Sequence, residues 1–252
     1  MPLSSTEILD ALRDEITRLE SRGRSQRKHL PFGIPILDRR LPGGGLALGA
    51  LHEVAGGGEG TVHGAASSLF AAGVAARTRG QVLWCVTRPD LFAPSLEQAG
   101  LSSNRVIYVE AENEASVLAC MEEGLRHPGL GCVVGELSRL PMTASRRLQL
   151  AAEASGVTSV VVRRWRRQSD AADFGQPTAA VTRWRVTALP SSPLPVSGVG
   201  RPRWFVELIR CRAGECADFE LEGCDETGRL ALPSDLADRS CEAPSRRGSA
   251  AA

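Results

Sequence analysis

Apolar residues in this chain gather in short dense runs, separated by glycine, proline and polar clusters. Leu51–Val54, Gln81–Val86 (QVLWCV), Val106–Val109, Gly131–Val134 and Thr158–Arg163 (TSVVVR) each read as a strand. Most are continuous rather than alternating, which predicts strands covered on both faces, as in a parallel sheet between helical layers. Helical spacing predicts helices from about Ala65 to Arg79 (closed by Gly80), Leu91 to Ala99, Glu114 to Arg126 and Thr143 to Ala154. Alternating strands and helices with right-handed crossovers leave few topologies beyond a wound α/β sheet.

After Arg163 the pattern changes. Gln168 to Ala180 has no periodicity, and Trp184 to Leu189, Trp204 to Arg212 and Cys216 to Glu222 predict antiparallel strands, with a short one near Leu230. Ser4 to Arg22 predicts a helix, opened by a capping box of Ser4 and Glu7 and stopped at Gly23. Its stripe of Ile8, Leu9, Leu12, Ile16 and Leu19 is narrow and surrounded by charge, so it either packs on its own domain or reaches a neighbour. The expected organisation is a helix and linker over 1–29, a core domain over 30–239 with a short helical turn around Ile36 to Leu41, and a disordered tail over 240–252.

Composition narrows the chemistry. Of 252 residues, 42% are hydrophobic, and the formal charge is +1, so any nucleic-acid site has to be local. No signal peptide and no apolar run of about 18 residues is present, so a cytoplasmic protein with no membrane partner is expected. The cysteines number seven and lack zinc-ligand spacing, which suits reduced core thiols. His29, His52, His63 and His127 fall in no catalytic spacing, and no metal site is expected.

Leu51 to Gly64 (LHEVAGGGEGTVHG) combines a strand, a glycine-rich turn and a helix start, the geometry of a phosphate-cradling loop. Such a loop needs a lysine after its last glycine, and Lys28 is the only lysine in the chain. Gly56, Gly57, Gly58, Glu59, Gly60, Thr61, Val62 and His63 therefore form a degenerate loop, with Val62 or its neighbour where the cation belongs and Glu59 repelling phosphate. The glycines read equally as a plain strand-to-helix turn.

The segment Phe32 to Gly56, FGIPILDRRLPGGGLALGALHEVAG, resembles the start of the RecA-type ATPase core, and the likeness extends through the sheet to about Val162. It implies a RecA-like α/β fold: a mostly parallel central sheet flanked by helices, antiparallel strands at the C-terminal end and an N-terminal helix. Within that superfamily the chain is similar to the ImuA family through LPFGIPILDRRLPGGGL, the loop without lysine and RPRWFVELIRCRAG. The superfamily places a metal-side carboxylate after the inner strand, where Gly135 and Glu136 stand, and a water-activating glutamate where Arg88 stands. These departures imply no ATP hydrolysis and no cofactor.

Arg163, Arg164, Trp165, Arg166 and Arg167 follow the strand after which RecA-like folds hang a single-strand-binding loop. Guanidiniums neutralise phosphates while an indole stacks a base. The same run reads equally as a solvated basic turn with Trp165 packed on the sheet edge, or as a patch for an acidic protein. Arg201-Pro202-Arg203-Trp204 is a second candidate of this kind, whereas Arg146 and Arg147 read as a solvated face. The family resemblance implies a nucleoid-associated, non-catalytic accessory protein of SOS-induced translesion mutagenesis. Its expected partners are RecA, docked through the N-terminal stripe and capped or inhibited, and an ImuB-type polymerase-like hub that leads to an error-prone polymerase. Single-stranded DNA is a further candidate ligand. The rivals are a nucleotide-binding ATPase of the RecA or clock type and a cell-division inhibitor.

Overall fold

The computed structural model describes residues 28–58, 61–165, 171–191, 197–198 and 200–233. The N-terminal stripe from Ile8 to Leu19, the pair Glu59 and Gly60, the arginines Arg166 and Arg167, and the tail over 240–252 lie outside the described residues.

The glycines and the Leu-Asp pair near the start of the described chain build a small structural clasp. Strands β1 (His29–Leu30) and β2 (Leu46–Ala47) pair antiparallel, with the short helix α1 (Pro35–Asp38) between them. The Asp38 carboxylate accepts the N–H groups of Phe32 at 2.7 Å and Gly33 at 2.9 Å, while Leu37 is fully buried. Gly45 lies so close to the main chain of Leu30 that a Cβ there would stand 2.6 Å from a carbonyl carbon. The segment therefore closes the core.

Eight strands form one sheet in the order β10-β9-β8-β3-β7-β6-β4-β5. They are β3 (Leu51–Gly56), β4 (Gln81–Val86), β5 (Val106–Glu110), β6 (Leu130–Leu137), β7 (Thr158–Arg163), β8 (Thr182–Leu189), β9 (Arg203–Cys211) and β10 (Ala217–Glu222). All neighbours from β8 through β5 run parallel; β8–β9 and β9–β10 are antiparallel. The α/β class with a mostly parallel sheet and an antiparallel end is thus the one the apolar runs predict.

One face carries α2 (Thr61–Ala76), α3 (Ala93–Gln98) and the clasp, whose Phe32 packs with Phe70 and Trp184 at ring separations of 6.0 and 5.7 Å. The other carries α4 (Glu114–Leu125) and α5 (Met142–Ser155), whose Leu148 is buried with Leu51, Val133 and Val161 of the strands. Asn113 caps α4 by accepting the Ser116 N–H, and Gly156 ends α5 in a left-handed conformation.

Three expectations shift. β5 is an edge strand with Ile107 and Tyr108 exposed, although its sequence reads as buried. β6 continues three residues beyond Val134, so Gly135 and Glu136 stand inside the strand; a Cβ at Gly135 would strike the Met121 side chain at 2.1 Å. And α2 starts at Thr61, four residues before Ala65.

Candidate functional site

The described start of the glycine turn packs against β8 and the first turn of α2. Gly57 donates its N–H to Val186 of β8 at 3.0 Å and approaches so nearly that a Cβ there would lie 1.7 Å from Thr187 Oγ1. The His63 imidazole lies against Gly58, where a Cβ would sit 2.6 Å from Nε2, and its Nδ1 accepts the Ala188 N–H at 3.2 Å. A ring thus stands beside the turn where a phosphate-binding loop leaves room for its anion. Val62 points outward, 63% exposed. Glycine at 57 and 58 is accounted for by packing alone.

The C-terminal ends of β4, β6 and β7 enclose a second arrangement, a cavity of about 300 Å³. Thr87, Arg88, Asp90, Glu114, Glu136, Leu137, Ser138, Arg164 and Trp165 line it. Arg88 is exposed, and Glu136 is almost wholly buried. The Glu136 carboxylate accepts Trp84 Nε1–H at 3.1 Å and a guanidinium N–H of Arg164. Arg164 also forks onto Asp90, with bonds of 2.9 and 3.0 Å. Burial opposes its charge, but Glu136 and Asp90 hold its pKa above the usual arginine value. Glu114 accepts the N–H groups of Ser138 at 2.8 Å and Arg139 at 3.4 Å, which pins the loop after β6.

Beneath that loop lies a buried ionic network. Arg163 closes β7 with no side-chain exposure and pairs with Glu53 of β3, itself fully buried, and with Asp173. Arg183 on β8 donates to Glu53 at 3.0 Å and to the carbonyl oxygens of Phe174 and Gln176. Thr178 donates to Glu53 at 2.8 Å. The Phe174 ring faces Arg183 and Arg163 at 5.0 and 5.8 Å and meets Trp165 at 5.7 Å. The aperiodic stretch after residue 170 is therefore a strap over β3 and β8, held by charges the sheet presents.

The basic run read as a surface patch is consequently split. Arg163 is interior, Arg164 is ion-paired, and Trp165 rests on Phe174 at the cavity rim. Arg201 and Arg203 pair with Glu222 and Glu220, and Trp204 is buried. Arg147 pairs with Glu122. Sequence reasoning missed Glu53, Asp173 and Arg183, and the sole hint was a glutamate within the apolar strand LHEV. It also passed over His52, whose Nε2 donates to Ala47 O at 2.8 Å while Nδ1 accepts the Thr182 hydroxyl at 2.7 Å. Burial lowers that imidazole to a pKa of about 4. Burial likewise pushes the Cys85 and Cys132 thiols up to about 12, which marks them as inert core residues.

These features define a wound α/β protein that keeps the strand-turn-helix joint of nucleotide-binding folds without its lysine. The chain belongs to the ImuA family. It is 39% identical over 234 residues to Protein ImuA of Caulobacter vibrioides, in both strain NA1000/CB15N and strain ATCC 19089, covering 87% of this chain and 95% of the relative. No protein-family model matches it. Among the described residues, no helix is long and apolar enough to cross a membrane.

Proposed function

We propose that this chain is a non-catalytic, RecA-like accessory protein of damage-induced translesion mutagenesis that acts through protein contacts. The observation that carries the non-catalytic part is the His63 ring, which packs against Gly58, while exposed Val62 stands near the place of the lysine. Arg88 at the end of β4 supplies a cation where a water-activating carboxylate would be needed, and a guanidinium is no base at neutral pH. Membership of the ImuA family supports the mutagenesis setting, with an ImuB-type hub and RecA as partners. The stripe from Ile8 to Leu19 is the candidate RecA-docking element, and Trp165 with Arg166 and Arg167 is the candidate contact for single-stranded DNA.

A thermal-shift titration with ATP and Mg²⁺ tests the first part. The expected result is no change in Tm up to millimolar nucleotide. A rise of more than about 2 °C, accompanied by phosphate release, would establish the ATPase rival. Co-purification with RecA and with an ImuB-type protein tests the second; deletion of residues 1–24 is expected to weaken the RecA complex, and an undiminished complex removes the stripe from the account.

A further inference from the structure

The described chain starts beside a groove. The Lys28 carbonyl accepts the Leu48 N–H at 2.8 Å, and the His29 ring covers Gly43. Pro42, adjacent to that glycine, forms part of a groove of about 510 Å³ between the clasp (Ile36, Arg39, Leu41) and the tip of the β9–β10 hairpin. Its shape is set before anything enters. The Glu215 N–H donates to the Arg40 carbonyl at 3.3 Å, and the two side chains form an ion pair. Ala213 at the tip holds a left-handed φ of 59°, alone in this among the described non-glycine residues. Alanine keeps that conformation only where its surroundings hold it.

The groove presents an aliphatic surface beside a spare cation. Ile36 is 44% exposed although its neighbour Leu37 is fully buried. Arg40 is committed to Glu215, whereas among the described residues no hydrogen bond or ion pair occupies the Arg39 guanidinium. Two arginines against one carboxylate leave one positive charge on the lining. Such a surface matches an apolar ridge flanked by carboxylates.

The sequence carries that ridge just ahead of His29. The stripe of Ile8, Leu9, Leu12, Ile16 and Leu19 lies within Ser4–Arg22, which holds five carboxylates, Glu7, Asp10, Asp14, Glu15 and Glu20, against three arginines. A predicted helix with one apolar stripe gains by burying it. The link from Leu19 to Lys28 spans at most about 30 Å when extended, so the stripe is tethered close to the groove.

Charge and position set this groove apart from other exposed apolar places. Ile107 and Tyr108 stand on the edge strand β5 beside Glu97 and Glu110, which repel an acidic helix. Leu150 is on α5, across the sheet from the clasp.

We propose that this groove is the docking site of the chain's own N-terminal stripe, with Arg39 as counter-ion to the carboxylates beside it. The inference goes beyond the contact-based reading: the stripe assigned there to RecA rests on its own core until a partner displaces it.

Methyl NMR on the full chain tests it, with isoleucine and leucine methyls labelled and assigned through Ile8→Val, Ile16→Val and Ile36→Val. Nuclear Overhauser contacts are expected between the Ile36 methyl and those of the stripe, unchanged on about tenfold dilution. Arg39→Glu should abolish them and move the Ile8 and Ile16 methyls to free-chain positions. The buried Ile34 methyl should keep its shift and so report an intact core. No contact between Ile36 and the stripe, contacts to Ile107 instead, contacts that survive Arg39→Glu, or contacts that fade on dilution and belong to a second copy would each overturn the proposal. RecA binding is measured separately by co-purification. If one of these outcomes occurs while the RecA complex forms, the contact-based function stands and self-docking falls. If the Ile36 contacts appear and no RecA complex forms, self-docking stands and the RecA part of that reading falls.

Discussion

The two ends of the sheet handle charge in opposite ways. In the parallel part, from β3 through β4, both faces are covered, and the charges of Glu53, Arg163 and Arg183 are interior, as is Glu136, which holds the half-exposed Arg164 at the cavity. In the antiparallel end, one face packs on α2 and the clasp through Trp204, Val206 and Leu208, while the other carries Arg185–Glu207 and Arg203–Glu220 toward solvent. Alternation along WFVELIRC is legible because only one face is buried. In the parallel part no alternation separates inside from outside, so a charged residue there is interior by topology. The same ion pair is consequently a strong constraint at one end and a minor one at the other.

The largest expected effect comes from breaking the buried network. Glu53→Gln removes the charge that two interior guanidiniums share, and should destabilise by about 3–5 kcal/mol in urea denaturation. A change below about 1 kcal/mol would mean that water reaches the network and the contrast is lost.

His52 sharpens the same contrast through pH. Its unfolded imidazole takes a proton below pH 6.5, whereas the folded one resists until about pH 4. The folded state therefore keeps its full stability above pH 6.5 and loses about 1.4 kcal/mol per unit as pH falls, about 3 kcal/mol in all by pH 4. Urea denaturation between pH 7 and 4.5 should show that slope, flattened in His52→Asn.

Gly57→Ala probes the seam where the loop meets the antiparallel end. Its Cβ collides with Thr187, so a loss of about 1–3 kcal/mol is expected, and Thr187→Ala should recover part of it. Equal losses in the single and double variants would show that the strain lies elsewhere.

The smallest effect belongs to the half-exposed pair of Arg203 and Glu220. Arg203→Ala should change stability by about 0–1 kcal/mol and lose even that in high salt.

Local pattern and spatial arrangement divide the legibility of this fold. Gln81–Val86 and Thr158–Arg163 coincide with β4 and β7, because a short apolar run between breakers has one stable use. The sequence predicts β6 only as far as Val134, since glycine and glutamate are poor strand formers. Only the neighbouring Met121 and Trp84 make them welcome there. Arg163 stands among three other arginines and reads as surface; the carboxylate that draws it inside lies 110 positions away.

The residues in order determined the α/β class, the element types, and the absence of a lysine from the glycine turn, because each depends on local spacing or on composition. Tertiary structure alone decided that β5 is an edge, that a histidine ring packs into the turn, and that one arginine of a basic run is interior while the next closes a cavity beside Arg88. Those outcomes depend on which strands become neighbours, and strand order is set by packing between segments far apart in the chain rather than by any one of them.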